Sequence, residues 1–199
     1  MRAEIQDHRA SRGARSFGRL RAVLTATAAA AALTSCASAG PYGFSRNYSP
    51  LAAEEAALSG SDKYDPVMAR RLPQDWRKKT VHFFGVVLAR EEGEDGRADL
   101  TVSVRRLAAR NLCESGSDDS CRVTVSEREH SRIHASVPLS QQDAMGKQRV
   151  QPRSLLRIVG RIEDKPDPKD GSHVVQASYY RHWPPGYYVT DQARSYMRR

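Results

Sequence analysis

The segment that most narrows what this chain can fold into is Thr80 to Arg90 (TVHFFGVVLAR). It is β-branched and aromatic, and apolar at both odd and even positions, so it reads as a strand covered on both faces. Gly85 in its middle marks a bulge or a sharp bend. Charged turn residues follow at Glu91 to Gly96, and then Leu100, Val102 and Val104 alternate with Thr101, Ser103 and Arg105. That period of two gives one buried face and one wet face. Val123 and Val125 resume the alternation, and Ile133, Ala135 and Val137 share their parity. Glu127 and Glu129 do not fit a core, so this third strand either overhangs the core or breaks near Ser131. Ser140 to Met145 predicts one helical turn. Leu155 to Ile162 (LLRIVGRI) and Val174 to Tyr180 (VVQASYY) are two further strands, with a turn over Pro166 to Gly171.

Three strands, a short helix and two strands predict a mainly β chain. The order matches a small five-stranded Greek-key barrel of the oligonucleotide/oligosaccharide-binding (OB) type, whose helix lies between strands three and four. Gly85 would let the first strand bend to pair with both halves of the barrel. Short helices are expected on its N-terminal side. One spans Leu51 to Leu58, with Ser49 as cap, Pro50 in first position and Gly60 beyond its end; another runs from Asp65-Pro66 to about Leu72.

The first 35 residues have a different character. Six arginines precede an uncharged, alanine-rich run from Ala22 to Leu33, and small residues close it at Thr34-Ser35-Cys36. Basic region, apolar core and small-residue cut site in that order make a secretory signal, too short in its apolar part for a spanning helix. Leu33-Thr34-Ser35-Cys36 resembles the lipobox of bacterial lipoproteins. That resemblance implies cleavage before Cys36 and acylation of its sulfur and new amine, and two or more chains hold a protein stably on a membrane. Ala37, in place of aspartate, points by the same resemblance to the outer membrane, with the domain facing the periplasm. The expected organisation is a signal over 1–35, a lipidated cysteine and flexible tether over 36–64, a barrel over 65–190 and a basic tail over 191–199.

Export frames the remaining cysteines. Cys113 and Cys121 bracket a polar loop in an oxidising compartment, and a structural disulfide is the expectation. A metal site is the rival reading, disfavoured because neither cysteine belongs to a CxxC pair. Of the chain's 32 basic and 23 acidic residues, the signal holds six and two, leaving 26 against 21, or +5. That mild excess does not describe a nucleic-acid-binding arm, and nucleic acid is disfavoured as a partner.

The outward positions of strands two and three would be Thr101, Ser103 and Arg105, then Thr124, Ser126, Arg128, Arg132, His134 and Ser136. No aromatic platform for stacking bases stands among them. Arg105, Arg128 and Arg132 are the candidate ligand residues, suited to phosphate or carboxylate groups. The aromatics cluster late, at Tyr179, Tyr180, Trp183, Tyr187 and Tyr188, and these read either as a partner-binding patch or as packing over Trp76 and the barrel end. His130 and His134 are four apart on a strand, about 13 Å, which is too far for one metal ion. HExxH, GxSxG, P-loop and dinucleotide motifs are absent from the sequence, so no cofactor, metal or catalytic residue is expected.

The lipobox, Val81-His82-Phe83-Phe84-Gly85-Val86-Val87, Leu155 to Ile162, and Tyr180-Arg181-His182-Trp183-Pro184 together resemble the Slp family of outer-membrane lipoproteins. The resemblance implies a compact β-barrel behind a lipid anchor and brings no catalytic residues. The expected role is a non-catalytic binding module for an anionic envelope polymer such as peptidoglycan. The alternative is an accessory subunit of an envelope protein complex, using the late aromatic patch.

Overall fold

A computed structural model describes Tyr42 and residues 45–197, with Ser117 excepted. The signal over 1–35, the lipobox cysteine Cys36, residues 37–41 and the last two residues of the tail lie outside the described residues. None of the helices in the described part is long and apolar enough to cross a membrane.

Five strands close the barrel: β2 (Thr80–Glu92), β3 (Ala98–Arg105), β5 (Ser131–Val137), β6 (Leu155–Ile162) and β7 (Val174–Trp183). Their order is β2-β3-β5-β7-β6, with β6 returning to β2; β5 and β7 run parallel, the other pairs antiparallel. The short β1 (Asp62–Lys63) adds to β2 in parallel at Val81 and His82. Helix α4 (Gln141–Met145) sits between β5 and β6, capped by Ser140 Oγ, which accepts from Asp143 N at 3.2 Å. This is the predicted OB-like barrel.

Gly85 has a reason more specific than a bend. It pairs with Val104 on one side and Leu156 on the other. A Cβ placed there would stand 2.1 Å from Val102 Cγ1. The register shift of β2 against β3 falls instead between Val87 and Ala89.

Strand three breaks where its two glutamates interrupt the pattern. Val123–Val125 is a separate strand, β4, which pairs in parallel with β8 (Tyr188–Thr190) outside the barrel. Thr124 and Ser103, expected on a wet outer face, are both fully buried. Thr124 Oγ1 accepts from Leu112 N at 2.8 Å, so the β4–β8 layer has an inside of its own.

The alternation of β2 supplies two cores from one strand. Val81, Phe83 and Val87 point into the barrel with Leu100, Val102, Ile133, Leu156 and Ile158. Phe84 points out and joins Leu155, Trp183, Val123 and Val125 beneath a covering layer that includes Tyr42, Tyr48 and Tyr187. Much of that cover comes from the stretch expected to be a flexible tether. Helix α1 (Ala52–Leu58) starts after Leu51 rather than Ser49, because Glu54 Oε2 accepts from Leu51 N at 3.3 Å. Helix α2 (Pro66–Arg71) follows the predicted signal: the Asp65 carboxylate accepts from Val67 N and Met68 N. The one-turn α3 (Pro73–Trp76) then brings Trp76 against Tyr64. At the other terminus, expected as a tail, α5 (Arg194–Met197) buries Met197, and Asp191 Oδ1 accepts from Glu127 N at 2.9 Å.

Candidate functional site

Arg105 closes β3 and points into a cleft of about 610 Å³ between β2, the β3 exit and the β1–α2 segment. Six cationic or titratable basic side chains line it: Lys63, His82, Arg105, Arg106, His130 and Arg157. Asp65 is the acid of the lining, and its carboxylate is already engaged by the first amides of α2. Phe84, Val104, Leu107 and Val67 form the apolar part of the walls. Arg105 is held in place, its Nε donating to Ser103 Oγ at 3.0 Å and its Nη1 to the Ser126 carbonyl at 3.3 Å.

The electrostatics of the cleft show in its histidines. Partial burial lowers the pKa of His130, and the charges of Arg106, Arg128 and Arg105 lower it further. Burial and then Arg157 and Lys63 do the same to His82. Both imidazoles are thus biased toward the neutral form, by burial first and then by neighbouring cations that favour an anion.

Behind the cleft lies the most buried charge cluster of the described residues. Glu54 is fully buried, Arg157 and Arg181 nearly so. Arg181 Nη1 donates to Glu54 Oε2 at 3.0 Å, the Tyr48 hydroxyl donates to Glu54 Oε1, and Arg157 Nε stands 3.2 Å from that oxygen without hydrogen-bond geometry. The guanidiniums stack on rings, Arg157 over Phe84 and Arg181 over Trp183, each with 4.6 Å from Cζ to centroid. Burial and the Glu54 contact push the Tyr48 phenol well above its ordinary pKa, so it stays a donor. Sequence reasoning missed this cluster. Its signal was an arginine inside each of two apolar strands, LLRIVGRI and ASYYRHW.

The three arginines expected to form one ligand row on strands two and three are not in a row. Arg105 enters the cleft, and Arg128, on the β4–β5 connection, is close enough to depress His130. Arg132 stands on β5, exposed, with Nη2 3.6 Å from Glu129 Oε1. The outer face of β3 and β5 carries Thr101, His134 and Ser136 in a second cleft of about 640 Å³, together with Glu91, Asp95, Asp99 and Asp167. Its acids outnumber Arg97 and Lys169, so it is not the anion-attracting face.

At the rim of that second cleft, His134 and Asp167 of its lining and the adjacent Asp170 hold their donor atoms within 4.8 Å of one another, the described group that could hold a metal ion. His134 Nε2 is 3.0 Å from Asp170 Oδ2, and each carboxylate also accepts a backbone amide two residues on. The sequence reading named no metal residue; the two aspartates come from the β6–β7 turn, far from His134 in the chain.

The late aromatics are largely turned inward. Trp183 is fully buried and donates Nε1–H to the Tyr42 carbonyl at 3.0 Å. Tyr180 donates to Asp143 Oδ2 at 2.7 Å, Tyr187 stacks on Tyr42 at 4.3 Å, and Tyr188 donates to the Arg153 carbonyl at 2.9 Å. Tyr179 is half-buried on β7. Cys113 and Cys121 are bonded to each other, closing their loop beside Leu112 and Arg122, which form an antiparallel bridge.

No family model matches this chain. Comparison with curated proteins also returns no match.

Proposed function

We propose that this protein is a lipid-anchored binding module of the bacterial outer membrane, facing the periplasm and doing no chemistry of its own, and that it binds an anionic envelope polymer such as peptidoglycan. The observation that carries the reading is the cationic cleft around Arg105. It gathers Arg106, Arg157, Lys63 and His130 on walls that are otherwise apolar, and its acid is already bonded. Guanidinium groups fixed by neighbouring hydroxyl and carbonyl oxygens are suited to carboxylate or phosphate, which they grip through paired N–H donors. The lipobox at Cys36 and the likeness to Slp lipoproteins supply the location and belong to the same proposal.

Co-sedimentation of the processed protein with purified peptidoglycan sacculi tests it. Binding that drops at least tenfold in an Arg105→Ala/Arg106→Ala variant with an unchanged circular dichroism spectrum supports the cleft. Equal sedimentation of variant and parent, or none by either, removes it. Metabolic labelling with palmitate, lost in Cys36→Ser, tests the anchor separately.

A further inference from the structure

Five residues separate Cys36 from Tyr42, and six fully extended Cα–Cα steps reach at most about 20 Å. Tyr42 is fastened to the barrel by three contacts. Its carbonyl takes the Trp183 indole, its ring stacks on Tyr187, and its hydroxyl donates to Gln148 Oε1 at 2.7 Å. A domain of this size has a radius of gyration of about 15 Å, so such a leash is shorter than the domain is wide. Given the lipid anchor proposed above, the barrel cannot tumble freely over the membrane, and the end carrying Tyr42 must lie next to it.

That end has the chemistry of a bilayer interface. Gln148 donates in turn to the Tyr187 hydroxyl at 2.9 Å, joining two half-buried tyrosines into one amphipathic edge. Tyrosine favours the headgroup level of membranes. Lys147 and Arg149 flank Gln148 and are exposed, Arg153 is exposed beside Tyr188, and the apolar Met145 stands 71% exposed close by. Of the acids here, Asp143 is occupied by His182 and Tyr180, and Glu92, which lines the same shallow cleft as Met145 and Arg149, is paired with Arg90 at 2.8 Å. Basic side chains near a membrane surface are drawn to anionic lipid phosphates.

We infer that the Tyr42–Tyr187–Gln148 end of the barrel is a membrane-facing surface, with Lys147, Arg149 and Arg153 on the phosphates of anionic lipid. The inference rests on the anchor in the proposed function. A second edge, on α2, exposes Val67, Met68 and Leu72 beside Arg70 and Arg71. It lies toward the other end of β2. Segment β1 pairs at Val81, whereas Arg90 Nη1 donates to the Ala144 and Val150 carbonyls around Lys147. The nine strand steps from Val81 to Arg90 span about 30 Å, so the two edges are separate surfaces and a label on each reports on one of them alone.

The test uses the processed, lipidated protein in vesicles of phosphatidylethanolamine and phosphatidylglycerol containing headgroup-nitroxide lipid. A bimane label is placed at Lys147→Cys or, separately, at Leu72→Cys, and mass spectrometry reads the acylation of Cys36. The expected result is quenching at position 147 several-fold greater than at 72, lost when Arg149→Glu and Arg153→Glu are added. Triacylated protein quenched equally at both positions, or more at 72, overturns the membrane face alone. Absence of the acyl mass on Cys36 overturns the anchor and the face with it.

Discussion

Glu54, on a helix of mostly alanines, is fully buried and accepts from Arg181 Nη1 on β7 at 3.0 Å, a contact spanning 127 residues. Arg157 on β6 closes the other side. One carboxylate therefore fastens the N-terminal segment to two barrel strands. Taking three charges out of water is costly, and the cluster survives because each guanidinium also has an aromatic ring beneath it. Removing the carboxylate leaves two buried, uncompensated cations. Glu54→Ala is expected to lose about 3–5 kcal/mol, measured by urea unfolding. A loss below about 1 kcal/mol would mean the segment is held by its apolar contacts instead.

Gly85 is predicted to reject any side chain. Its Cβ would collide with Val102 Cγ1 inside the barrel, and overpacking of this kind costs about 1–3 kcal/mol. Gly85→Ala should lower the free energy of unfolding by that amount, and adding Val102→Ala should return part of it. No recovery in the double variant would place the strain elsewhere.

Reducing the Cys113–Cys121 bond should lower stability by about 2 kcal/mol, as expected for a short closed loop, while far-ultraviolet circular dichroism keeps its β signature. The loop lies outside the barrel ladder, so collapse of the whole β signal on reduction would contradict that placement.

Acid should destabilise the fold in two windows. Burial keeps His82, His130 and His173 below their ordinary pKa, so the unfolded chain takes up protons first as pH falls below about 6.5, and stability declines with it. A second loss comes from Asp170, whose pKa is held at about 2 by the hydrogen bond from His134 and the Ser172 amide. Its contribution is present above the unfolded pKa of about 4 and disappears toward pH 2. His82→Gln should flatten the first window and Asp170→Asn the second. Unchanged pH profiles in either variant would assign the loss to other groups.

The barrel was legible in the sequence because Leu100–Val104 and Ile133–Val137 alternate cleanly and Ser140 to Met145 reads as a helical turn before two further strands. The doubly apolar run at Thr80 marked the strand shared by both halves, whereas Gly85, read as a bulge or bend, is a point of close approach to Val102 and the register shift lies at Val87/Ala89. What escaped were features in which local pattern and tertiary environment disagree. AAEEAAL reads as a solvated helix, yet one of its glutamates is the most buried acid described, because the arginines that need it lie more than 100 residues away. Thr124 is polar at an outward-parity position and is nevertheless covered, since a separate two-stranded layer packs there. Arg105, Arg128 and Arg132 share a charge but not a face, because the break before Ser131 turns the chain between them.

The salt dependence of binding to purified sacculi tests the central claim most directly, with the parent protein and the Arg105→Ala/Arg106→Ala variant titrated from low to high ionic strength. Fixed cations gripping an anionic polymer predict affinity that falls steadily as salt rises, with a shallower slope and weaker binding in the variant. Binding indifferent to salt, or identical in the two proteins, would contradict an anion site in the cleft.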